Sequence, residues 1–145
     1  MRDNVAADFS YALVQTTQKT TNLSCSGAAS TWLDYSGSPH ITIDGAVGEK
    51  WMILASANTL PGNSGYNHDR IASVSGCTVN VDGQVGYQTT AKYITMVGLI
   101  TLTDTTATIK FQHWSSGATG THILAGGAGG SGNAHFDIVA TRVAA

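Results

Sequence analysis

The strongest constraint in this sequence is an alternation with a period of two, broken at short intervals by turn residues. Successive side chains of an extended strand point to opposite faces, so large apolar residues at every second position read as β-sheet with one face buried. Phe9, Tyr11 and Leu13 alternate with the small Ser10 and Ala12, and Ile41 and Ile43 alternate with His40 and Thr42 before the turn pair Asp44-Gly45. Cys77, Val79 and Val81 alternate with Thr78 and Asn80, and Asp82-Gly83 then supplies the positive φ of a two-residue hairpin turn. Gln84 to Gln88 are therefore expected to return antiparallel. Lys92 to Leu102 is rich in Ile, Val, Thr and Tyr, and Ala107, Ile109 and Phe111 alternate with Thr106, Thr108 and Lys110. Thr121 to Leu124 predicts a brief strand and Ala134 to Val143 a closing one. Trp51 to Ala55 is a continuous apolar run between Gly48 and a loop from Asn58 to Gly65, which predicts a strand covered on both faces.

Helical spacing is hard to find, and the residue usage agrees. Surface helices lean on Glu, Lys and Arg, whereas charged residues make up only 11% of the chain and Glu occurs once, at Glu49. About eight strands separated by turn signals predict an all-β antiparallel sandwich or barrel. A length of 145 residues holds one domain, here 9–145 behind a polar N-terminal arm, 1–8. A net charge of -2 lacks the basic footprint of a nucleic-acid partner. No apolar stretch reaches the ~18 residues that span a bilayer, and the opening Met1-Arg2-Asp3-Asn4 is polar, so no membrane is expected and the product should be released in the cytoplasm.

Catalytic and metal chemistry find little purchase. His68 and Asp69 are adjacent in the polar loop Pro61 to Arg70, so in an extended chain they point apart and cannot share a metal. His113 can approach His122 across a hairpin, but two imidazoles without a third ligand make a poor zinc site. Gly62-Asn63-Ser64-Gly65-Tyr66 places its second glycine one position too early for a nucleophile elbow. Asp34, Asp44, Asp82 and Asp104 sit where aspartate favours turns. Gly127 to Gly132 fits G-x-G-x-x-G in letters, yet a strand rather than a helix should follow it, so a loop is expected. Cys25 and Cys77 are expected to remain thiols. No enzyme activity, cofactor or metal follows from these residues.

Three segments carry a family resemblance: Gly48-Glu49-Lys50-Trp51-Met52-Ile53-Leu54-Ala55-Ser56-Ala57, Gly98 to Phe111 with its Leu102-Thr103-Asp104 turn, and Ala134 to Val143 near the C-terminus. In order and placement they resemble the jelly-roll of tumour necrosis factor and the globular heads of complement and collagen-like proteins. The charge-poor, Thr/Ser/Gly-rich style is similar to the trimeric versions on phage particles. The resemblance implies a TNF-like homotrimer, a capsid decoration (cement) protein that binds the major capsid protein on the outer surface of the virion and stabilises the assembled head. Trp32, Tyr35, Trp51, Tyr93, Phe111, Trp114 and Phe136 exceed what one small core must contain, which also favours an oligomer. The expected trimer interface takes in Phe9, Tyr11, Trp51, Phe111, Phe136 and Ile138. Arg2, Asp3 and Asn4 of the arm, with Tyr66, Asn67 and His68, are the expected capsid or ligand contacts. The competing expectation is a receptor- or carbohydrate-binding head of a tail fibre, using Tyr66, Tyr87 and Trp114 with the loop Asn63 to Asp69.

Overall fold

A computed structural model describes residues 14–19, 23–25, 28–35, 40–60, 65–87, 92–117, 122–124 and 136–144. The expected arm 1–8, the strand Phe9 to Leu13 and the glycine tract Gly126 to Gly132 lie outside these residues. The described residues form strands and their connections, with no helix among them. The strands are β1 (Val14–Lys19), β2 (Leu23–Cys25), β3 (Trp32–Asp34), β4 (His40–Asp44), β5 (Lys50–Leu60) and β6 (Asn67–Ser75). Then follow β7 (Cys77–Val81), β8 (Val85–Tyr87), β9 (Lys92–Leu102), β10 (Thr106–Ser115), β11 (His122–Leu124) and β12 (Phe136–Ala144).

Every pairing is antiparallel, and the strands divide between a seven-stranded and a five-stranded sheet. In the larger sheet β5 is central: β9 and then β7 lie on one side, β12 and then β1 on the other. β11 takes over from β12 beside Thr59 and Leu60, with β2 beyond it. In the smaller sheet β10 is central, with β6 and β8 on one side. On its other side β4 runs along Thr106 to Lys110 and β3 along Gln112 to Trp114.

Alternation then decides what lies between the layers. Along β10 the inward positions Ala107, Ile109, Phe111 and His113 are buried, and along β5 Trp51, Ile53, Ala55 and Ala57 are buried. Ile41, Ile43, Ile71, Ile94, Met96, Ile100, Ile138 and Ala140 complete the same core. The result is an all-β antiparallel sandwich, as the periodicity predicts.

Four expectations need correction. The apolar run of β5 is not covered on both faces within the chain, since Met52 and Leu54 are 38% and 40% exposed. Gly83 does take a positive φ of 61°, yet β7 and β8 are no hairpin pair, because β7 joins β9 in one sheet and β8 joins β6 in the other. Residues 67–70, read as loop, open β6, where His68 and Arg70 face outward, the buried Asp69 accepts a bond from Tyr35 and the buried Asn67 donates to the Gly65 carbonyl two residues back. His113 and His122 lie on strands of different sheets rather than across a hairpin.

The passage from β6 to β7 turns on Gly76, which has φ of 70° and whose carbonyl accepts the N–H groups of Thr103 and Asp104 at 2.9 and 3.2 Å. A Cβ at this position would collide with the carbonyl of Thr106. Gly48 also has a positive φ, 94°, but has open space around the missing Cβ. Gly76→Ala combines strain with a clash and is expected to cost about 3 kcal/mol, against about 1 kcal/mol for Gly48→Ala. Urea unfolding of both variants checks this; equal losses would contradict the close packing at Gly76.

Candidate functional site

Three polar or apolar constellations are built by the sandwich, and their accessibility separates them. The first is buried. Asp69 on β6 and His113 on β10 are direct cross-strand partners with their side chains inside. His113 Nδ1 lies 3.1 Å from Asp69 Oδ1, and the hydroxyl of Tyr35 donates to the same oxygen at 2.7 Å. An Asp–His pair is the kind of group that moves protons in catalysis, but Asp69 and His113 are fully enclosed and no substrate reaches them. Their role is to give buried polar atoms partners and to lock β3's exit onto β6 and β10. Their 44-residue separation hides the pair in the sequence; only the β6–β10 register reveals it.

The second constellation is the outer face of the seven-stranded sheet. Val139, Leu54 and Val97 are aligned across β12, β5 and β9, and Met52, Leu99 and Val81 across β5, β9 and β7. Leu54, Val97 and Val81 are 40%, 50% and 51% exposed, so two adjacent rows of aliphatic side chains face solvent on neighbouring strands. Monomeric proteins seldom leave a contiguous apolar patch of this kind bare.

The third is the outer face of the five-stranded sheet. Trp32, Trp114 and His68 stand directly opposite one another across β3, β10 and β6. The His68 ring meets Trp114 edge-on with centroids 5.2 Å apart, and the Arg70 guanidinium lies 4.0 Å over the Trp32 ring. Arg70 donates from Nε and Nη2 to Gln112 Oε1 at 3.1 and 2.8 Å. Gln112 Nε2 donates to Asp34 Oδ1 at 3.0 Å, and Lys110 Nζ to Asp34 Oδ2 at 2.8 Å. The hydrogen bond from Lys110 holds the Asp34 carboxyl below its ordinary value of 3.8, with Gln112 adding to the effect against partial burial.

The residues expected in a trimer interface fall differently. Trp51, Phe111 and Ile138 are covered inside the chain's own core and offer no surface to a partner; the outward positions are their sequence neighbours, the exposed Met52 and the half-buried Val139, and the exposed cross-strand Val97. A shift of one residue along a strand exchanges its faces. Phe136 begins β12 opposite Ala57, and Phe9 and Tyr11 lie outside the described residues, as do Arg2, Asp3 and Asn4. Of the expected contacts, Tyr66 is exposed, His68 is half-buried against Trp114, and Asn67 is buried with its Nδ2 donating to the Gly65 carbonyl at 2.9 Å. Asn67 is therefore structural. Cys25 and Cys77 carry thiols. Among the described residues no three His, Cys, Asp or Glu side chains converge on a point that could hold a metal ion. The chain matches no protein-family model and no curated protein.

At one end of the sandwich Arg142 Nη1 donates to Glu49 Oε1 at 2.9 Å, tying the end of β12 to the entry of β5. This bond, assisted by the Ala46 backbone, holds the Glu49 carboxyl below its ordinary value of 4.5 despite burial. A carboxyl whose pKa is depressed by folding stabilises the fold above its unfolded pKa, and that stabilisation is lost as pH falls through the folded value. The unfolding free energy is thus expected to hold steady down to about pH 5 and fall below it. Arg142→Met should flatten this acid slope by returning Glu49 toward its ordinary pKa; urea titrations between about pH 3 and 7 read the slope, and an unchanged one would contradict the assignment.

Proposed function

We propose that this protein is a non-catalytic jelly-roll subunit that assembles with copies of itself through the outer face of its seven-stranded sheet and serves to hold a larger structure together. The observation that carries the reading is the strand β5. Its apolar run is long enough for two covered faces, but the chain covers only the one bearing Trp51, Ile53 and Ala55. The opposite face, with Met52 and Leu54, is completed by aliphatic residues of β9, β12 and β7 into a surface suited to a second copy.

The strand order supports the jelly-roll. In one layer β1, β12, β5 and β9 are neighbours, and in the other β4, β10, β6 and β8. Strands early and late in the chain thereby alternate within each sheet, as they do when one long antiparallel ribbon is rolled up. A trimer on a phage head, gripping the major capsid protein, is the specific form that the family resemblance adds. The energetics are adequate: finishing the burial of four half-exposed aliphatic side chains contributes roughly 1 kcal/mol each, about 4 kcal/mol per subunit before the cost of ordering. Three sheet faces meeting around one axis would sum such terms. A protein of this kind binding only an assembled shell stabilises it by mass action.

Leu54→Glu places a charge in the middle of the apolar face without entering the core. It is expected to leave the fold intact and reduce the assembly to 15.0 kDa chains by light scattering. Val74→Glu, at an exposed position on β6, should change nothing. Dissociation by neither variant would place any interface elsewhere. For the capsid form, heat release from shells lacking the protein is expected to shift upward when it is added back, and unchanged shells would contradict it.

A further inference from the structure

Among the described residues, the outer face of the five-stranded sheet brings aromatic rings, planar hydrogen-bonding groups and a cleft together, and the self-association described above does not use it. Trp32, His68, Arg70, Gln84 and Trp114 line a cleft of about 290 Å³. Arg70 also lines a groove of about 780 Å³ that takes in Lys110 and Gln112 on β10 and Asn80 and Asp82 at the end of β7. We propose that this face binds a neutral oligosaccharide, with sugar rings packed against Trp114 and the edge of the row formed by Trp32 and His68, and hydroxyls bonded by Arg70, Gln84, Gln112 and Asp34.

Four observations carry this. Trp32 and Trp114 stand side by side, half-buried, on the outer face of the sheet, with Arg70 laid over Trp32 and His68 set edge-on to Trp114, and aromatic groups of this size contribute strongly when apolar surface is laid against them. Because the three rings stand on adjacent strands ~4.8 Å apart, the row is ~10 Å long, the length of two linked sugar rings. At its far end the register places Gly86 opposite His68, where a Cβ would come within 2.9 Å of the imidazole. Absence of that side chain keeps the end of the row open.

The polar groups beside the row are already fixed. Lys110, Asp34, Gln112 and Arg70 form one continuous chain of hydrogen bonds, with Arg70 also laid over Trp32. A ligand then pays little to order them. They offer both donors and acceptors, as a sugar hydroxyl requires, since it is both at once. Charge separates this ligand from a single-stranded nucleic acid, the other class that stacks on aromatic rows. The two cations face the carboxylates Asp34 and Asp82 along the same surface, and Lys110 is paired with Asp34. A phosphate chain would meet that negative charge, whereas a neutral saccharide uses it as an acceptor.

The test is a glycan array of neutral oligosaccharides, followed by titration of the best one against the full chain while tryptophan emission is read. Of the three tryptophans Trp51 is fully buried, so a change in emission reports Trp32 and Trp114. Saturable binding is expected, weakly dependent on salt, weakened at least tenfold in Trp114→Ala and in Gln112→Ala, and unchanged in Leu54→Glu on the opposite sheet. Gln112 points outward and half-exposed, so its replacement keeps the test valid should loss of a tryptophan disturb folding. The absence of saturable binding to any neutral glycan would overturn the proposal. So would full-strength binding by both variants, or tighter, steeply salt-sensitive binding of oligo(dT). Light scattering on the same samples scores self-association separately, so either reading can fail alone.

Discussion

The structure depends on one constraint at the middle of the larger sheet: β5 can bury only one of its two apolar faces within a single chain. Trp51, Ile53, Ala55 and Ala57 go inward and meet the core, and the strict alternation of a strand then forces Met52 and Leu54 outward. Sandwich packing settles the first face at ~10 Å from the opposing sheet. The second is left to neighbours on the same sheet, which supply more aliphatic side chains instead of polar ones. A soluble antiparallel sheet ordinarily alternates apolar and polar; this one departs from that pattern in one contiguous place, and the proposed assembly follows from the departure.

The two outer faces of the sandwich contrast in chemistry. That of the seven-stranded sheet is aliphatic and lacks a fixed polar pattern at its centre, which suits a surface buried permanently against an equivalent one. That of the five-stranded sheet is aromatic and polar, with its hydrogen-bonding groups held by each other, which suits a small ligand exchanging with water. Between them the enclosed cluster of Tyr35, Asp69 and His113 satisfies polar groups inside the core, and the Glu49–Arg142 pair fastens β5 to β12 at the edge.

Much of the fold was legible in the sequence, and what was not has identifiable causes. β4 and β7 follow directly from alternation, and β9 has the bounds Lys92–Leu102 that its composition predicts. The start of β6, residues 67–70, was read as loop because Asn67, Asp69 and Arg70 are polar; pairing with β10, together with the bonds of Asp69 to Tyr35 and of Arg70 to Gln112, overrode their weak strand preference. The interface residues were chosen by size, which selects Trp51 and Phe111, the very side chains a core takes first. The aromatic row of Trp32, Trp114 and His68 needed registers between strands separated by tens of residues, and no local pattern encodes those.

Sedimentation equilibrium of the unmodified protein at micromolar concentration tests the central claim most directly. Burial of the Met52 and Leu54 face against other copies predicts a species heavier than one 15.0 kDa chain, and the trimeric form proposed from the family resemblance a single species of three times that mass. A stable species of one chain mass, with that aliphatic face open to water, would contradict the account.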